Sequence, residues 1–187
     1  MTSLTLPKNL EQVFEIEDTN KLLANLTKEL VETLNSHGEC VDLVDRVFLY
    51  VRYPQTRYGQ AAFCYCRNSD IPNVQEEEWK QEQPEDLEQV DPMFAAAINC
   101  KPSIFVDDVE TADPETLNRE FEAQEFGHRA LVHGHICEGD KLWGILQPCV
   151  FGHPHHWTAE DKQIIEEVCD RLVPIVKEYV LNNHPPH

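Results

Sequence analysis

Leu22, Leu23, Leu26, Leu30, Val31 and Leu34 recur at three- and four-residue steps. Residues Asp18 to Ser36 therefore read as an amphipathic helix, with Gly38 placed to stop it. The first sixteen or so residues carry Pro7 and little periodicity, which predicts a loose arm. Arg46 to Tyr53 is dense in Val, Phe, Leu and Tyr and ends at Pro54, a strand pattern; Ala61 to Cys66 reads as its partner across a turn near Tyr58-Gly59. Residues 76 to 91 hold eight acids against one lysine and read as a solvated loop or helix face. Asp91 to Ile98 follows as a short helix, Ser103 to Val109 as a short strand, and Pro114 to Glu125 as a segment of helical composition.

The clearest pattern lies between residues 129 and 157. Two apolar arms flank Gly139-Asp140, a pair suited to a tight hairpin turn because glycine takes positive φ at little cost. A two-residue and a three-residue turn give opposite facings of Trp143, so the register stays open. A loop rich in Gly, Pro and His leads to Trp157, and Thr158 with Asp161 three residues on marks a helix start. From Ala159 to Leu181 a stripe of Ile164, Ile165, Val168, Leu172, Ile175, Val176 and Tyr179 predicts a long helix, kinked or cut at Pro174. This order of elements predicts an α+β class with an antiparallel sheet and helices on one face. The expected organisation is an arm over residues 1–17, one domain over 18–183 and a tail over 184–187.

The run Leu131-Val132, Ile136, a Gly turn, Leu142-Trp143-Gly144-Ile145-Leu146 and Pro154 to Trp157 resembles the GAF domains of cyanobacterial phytochrome-like photoreceptors. The resemblance extends over most of the chain. It implies a central antiparallel sheet flanked by N- and C-terminal helices that pair across a dimer in relatives, and it implies a bilin pocket. In such relatives an Asp-x-Cys-Phe motif follows an acidic loop bearing tryptophan, and its cysteine adds to the bilin. Here Trp79 precedes Asp91-Pro92-Met93-Phe94, so the frame is present with methionine where the thiol would stand. The principal attachment Cys-His pair of relatives falls at about Leu117, Asn118 and Arg119, where neither residue occurs. A thioether cannot become the thiolate nucleophile that bilin addition requires. The cofactor expectation is therefore none covalent, with a bilin or other tetrapyrrole held non-covalently as the candidate.

A formal charge of −19, with 34 acids against 15 Lys and Arg, argues against nucleic acid and against acidic membrane surfaces. No apolar run spans a bilayer, so a cytoplasmic protein without membrane insertion is expected. Seven cysteines without a metal-type pair read as reduced thiols. Cys64 and Cys66 are assigned to opposite faces of their strand and so to no mutual bond. His133, His135 and Cys137 alternate on one strand and share a face, where zinc, a ligand pocket and plain packing all remain open. His128 and Arg129 could anchor a carboxylate or phosphate, or pair with an acid of the chain. The ligand-binding candidates are Trp79, Asp91, Phe94, Arg129, His133 and His135, with no catalytic residue and no metal ligand named.

These readings predict a stand-alone regulatory or sensory binding domain of a cyanobacterium-like host. It would hold a small molecule without a covalent bond or dock on a signalling partner. The leucine stripe and the closing helix predict a homodimer or a helix-mediated hetero-complex. The alternatives are a thiol-based enzyme of the free methionine sulfoxide reductase type and a Cys/His metal or redox sensor.

Overall fold

The computed structural model describes residues 5–36 and 43–186. The helices are α1 (Lys8–Phe14), α2 (Thr19–Asn35), α3 (Leu87–Val90), α4 (Pro92–Ile98), α5 (Arg119–Glu125) and α6 (Ala159–Asn183). The strands are β1 (Arg46–Tyr53), β2 (Tyr58–Cys66), β3 (Lys80–Gln81), β4 (Ile104–Val106), β5 (Ala130–Glu138) and β6 (Lys141–Val150). The strands form one sheet in the order β3-β2-β1-β6-β5-β4, each neighbouring pair antiparallel.

One sheet face carries the main core. Val47, Leu49, Val51, Val132, Ile136 and Leu146 meet the apolar stripes of α2 and α6 there. Leu22, Leu23, Leu26, Leu30 and Leu34 are all buried within the chain. The stripe that motivated a homodimer is thus spent on the fold's own core, and a dimer would have to use other residues. The Asp18 carboxylate accepts from the Lys21 amide at 2.7 Å and caps α2. Thr158 and Asp161 form the reciprocal capping box expected at the start of α6. The stop signal at Gly38 lies outside the described residues.

The hairpin has a two-residue turn: Glu138 faces Lys141, and Gly139 sits at φ 63°. A bulge between Ile136 and Cys137 follows, and Trp143 turns into the main core, with the Lys177 ammonium 5.7 Å from its ring centre. Trp157 is buried and donates from Nε1 to the Val106 carbonyl at 3.0 Å, fastening the loop before α6 to β4.

Three expectations are corrected. The arm is not loose where it is described: Leu6, Leu10 and Val13 join the main core, and Glu11 pairs with Arg171 of α6 at 2.7 Å. Three apolar residues over two turns are too few to show as a stripe. Helix α6 runs on through Pro174, which faces solvent, where water can satisfy the carbonyl that loses its partner. The turn between β1 and β2 falls at Pro54 to Arg57, so β2 begins at Tyr58 rather than Ala61.

Candidate ligand cavity

On the other face of the sheet Phe94 and Ala97 of α4 pack against Leu142 and Ile145 of β6. Period-two alternation sends Arg46, Phe48, Tyr50 and Arg52 of β1 to this side. A cavity of about 340 Å³ opens there. Its floor is Phe48, Tyr50, Ala61, His133, Ile145 and Gln147, and its roof is the 74–94 segment together with Phe121, Glu122 and Phe126. Gly59 makes room for the floor, since a Cβ on it would fall 1.8 Å from the Tyr50 hydroxyl.

The acidic stretch is not simply solvated. Glu82 is buried and takes hydrogen bonds from Arg52 and, at 3.1 Å, from Arg57, which also reaches Glu88 at 3.0 Å. The Tyr50 hydroxyl donates to the same carboxylate at 3.3 Å. Burial and the adjacent Glu82 charge push the Tyr50 hydroxyl's titration upward. This clasp ties the roof strap to β1. Sequence alone hides it, because Glu82 looks like its solvated neighbours and its partner Arg52 is thirty residues away.

Asp91 caps α4, accepting from the Met93 amide at 3.0 Å, and lines the cavity beside Met93 and Phe94. Burial pushes its carboxyl up to about 6. Leu117 is buried with Met93, Val106, Val109 and Leu131, while Asn118 caps α5 and donates to the Val90 carbonyl at 2.9 Å. The positions where attachment residues were sought are thus apolar packing and a helix cap.

His133 and His135 share a face, as their spacing predicts. His133 Nδ1 lies 2.9 Å from His135 Nε2, and His135 Nδ1 lies 2.6 Å from the Lys101 carbonyl oxygen. Burial holds both imidazoles below their ordinary titration range, His133 well below it. His133 lines the cavity and His135 stands behind it. Cys137 continues this face, packed beside Phe94 and Leu142. Among the described residues no group of three or more His, Cys, Asp or Glu side chains is arranged to hold a metal ion.

Two candidates lie elsewhere. Arg129 takes the ordinary course, pairing with Asp108 at 2.8 Å and Glu110 at 3.2 Å away from the cavity. Trp79 is half-buried against the main core and does not reach the cavity wall. Arg46 stands outside the cavity wall and donates to the Pro72 carbonyl and to His128 Nε2 at 2.6 and 2.7 Å. With Nε2 accepting, the neutral ring carries its proton on Nδ1, which lies 2.5 Å from the Glu122 carboxylate, neither atom having a partner in hydrogen-bond geometry. Strand alternation could have put Arg46, Phe48 and Tyr50 on one face, but not said which face held a ligand site.

The thiol assignment is reversed for one pair. Cys64 and Cys66, two apart on β2, share a face with their sulfurs 3.9 Å apart. Burial, then the Cys64 sulfur, pushes the Cys66 thiol up to about 11. Burial likewise raises Cys137 and Cys169. No described helix is long and apolar enough to cross a membrane.

A model of the GAF domain matches residues 18–173. No match was found among the curated proteins compared. Solved structures that resemble the chain include the phycocyanobilin-bound GAF domain from a cyanobacterial phytochrome, at 16% identity and TM-score 0.67, covering 96% of this chain and 100% of that one. The GAF domain from an Acinetobacter phosphoenolpyruvate-protein phosphotransferase resembles it at 8% identity and TM-score 0.67, covering 95% and 94%. The chromophore-binding domain of a bacteriophytochrome from R. palustris does so at 14% identity and TM-score 0.65; the alignment covers 91% of this chain and 59% of that longer one.

Proposed function

Because the chain belongs to the GAF domain family, we propose that it is a sensory domain holding a small molecule non-covalently in the cavity over Tyr50, Met93 and Ile145. The observation that carries this reading is a formed cavity, whose inner surface is mostly apolar and whose would-be attachment positions offer no thiol. At about 340 Å³ it lies near the lower end of ordinary ligand pockets, roughly 300–1,000 Å³. That size suits an occupant of one or two rings. The phycocyanobilin bound by one structural neighbour makes a tetrapyrrole the larger candidate. A four-ring occupant would need the 74–94 roof to open.

A calorimetric titration with indole, a two-ring probe, tests the reading. Saturable binding that weakens at least about tenfold in Ala61→Phe, a substitution that fills the cavity, supports it. Absence of saturable binding, or binding indifferent to Ala61→Phe, overturns it.

The closeness of Cys64 and Cys66 favours a second reading, thiol chemistry. The raised Cys66 pKa opposes it, since the thiolate is the nucleophile. Methionine sulfoxide turnover that collapses in Cys64→Ser or Cys66→Ser would establish that reading instead.

A further inference from the structure

The chain of imidazoles behind the cavity has a direction. A carbonyl oxygen only accepts, so at 2.6 Å from the Lys101 oxygen the His135 Nδ1 must carry the proton. In a neutral ring the other nitrogen is then bare. His135 Nε2 therefore accepts, and His133 Nδ1, 2.9 Å away, donates. That fixes the second tautomer as well: His133 Nε2 is left with a lone pair and no proton. The reverse polarity would need a doubly protonated, positively charged His135, which burial disfavours. His133 is only 5% exposed and lines the cavity. Among the described residues its Nε2 has no hydrogen-bond partner from the protein.

We propose that the cavity recognises an apolar ring that carries an N–H donor, uncharged or cationic, and that His133 Nε2 accepts its hydrogen bond. This rests on the reading of the cavity as a ligand site. The rest of the wall agrees. Asp91, Glu122 and Glu125 add carboxylates, Glu82 is held by Arg52 and Arg57, and Lys80 is tied to Glu76 at 2.9 Å. Gln147 can serve either role, but no arginine lines the cavity. A carboxylate-bearing ligand would meet negative charge without a guanidinium to answer it. Leaving His133 Nε2 unmet by a ligand costs the desolvation of a buried acceptor, which is how a site discriminates for a donor.

The experiment compares indole, benzofuran and indoleacetate. Benzofuran has the size and shape of indole with an ether oxygen in place of the N–H. Indole should bind about tenfold more tightly than benzofuran, and indoleacetate should be the weakest of the three. In His133→Phe the preference for indole over benzofuran should vanish while benzofuran still binds. Equal affinities for indole and benzofuran in the unaltered protein overturn the inference and leave the cavity reading standing. Failure of both to bind overturns the two together. Proton–nitrogen spectra of the histidine rings test it without a variant. His133 should be protonated at Nδ1 and bare at Nε2, with the Nε2 resonance moving on addition of indole; a proton on Nε2 in the free protein contradicts it.

Discussion

Met93, which lines the cavity, and Leu117 pack into one small apolar cluster with Val106, Val109 and Leu131. The resemblance to photoreceptor GAF domains implies attachment cysteines at these same places. Each is occupied by a side chain whose contribution is burial, roughly 1.5–3 kcal/mol for a residue of this size.

The expected consequence is that no bilin becomes covalently attached. Co-expression with a bilin-producing pathway should give no zinc-fluorescent band at 21.6 kDa on a denaturing gel. Any tetrapyrrole absorbance in the native protein should be lost on denaturation. A fluorescent band at that mass would contradict this and would place a nucleophile that the cavity wall does not show.

Glu82→Ala should be strongly destabilising. It leaves Arg52, which is buried, without its carboxylate, and breaking a buried ion pair from one side costs about 3–5 kcal/mol. Chemical denaturation of the variant and of the double replacement Arg52→Met/Glu82→Met should show the double change recovering much of the loss. A cost near zero for Glu82→Ala would mean that the strap is not clasped to β1.

Most of the fold was legible because its signals are local. The leucines of α2, the capping pair Thr158 and Asp161, the Gly139-Asp140 turn and the strand Arg46 to Tyr53 all declare themselves within a few residues, and the sheet follows from their order. The cavity was legible in part. Asp91, Phe94 and His133 line it, and His135 supports His133. Trp79 and Arg129 do not, since an aromatic or a guanidinium carries no mark of which side of the chain it will face. Glu82 was hidden for the converse reason. In a chain with 34 acids, one buried carboxylate is told from its neighbours only by a distant partner, here Arg52.

Asp91 supplies a pH dependence of unusual sign. Its carboxyl is raised from 3.8 to about 6 by burial, so the fold binds its proton more readily than the unfolded chain does. Its contribution is therefore present at low pH and lost as pH rises through that window. Asn also serves as a helix N-cap and carries no charge, so Asp91→Asn isolates this effect. The variant should gain on the parent as pH rises from 4 to 7, by about 3 kcal/mol at most. Parallel stability profiles over that range would contradict the burial of a charged Asp91.

The central claim is reversible occupancy of one cavity, and Met93 offers the most direct view of it. The chain has two methionines, Met1 and Met93, so methyl labelling gives one signal from the cavity wall. On titration with indole the Met93 methyl resonance should move saturably, together with the methyl groups of Ile145, and return on dialysis. A Met93 signal that stays still while resonances elsewhere shift, or a shift that survives denaturation and refolding, would contradict the account.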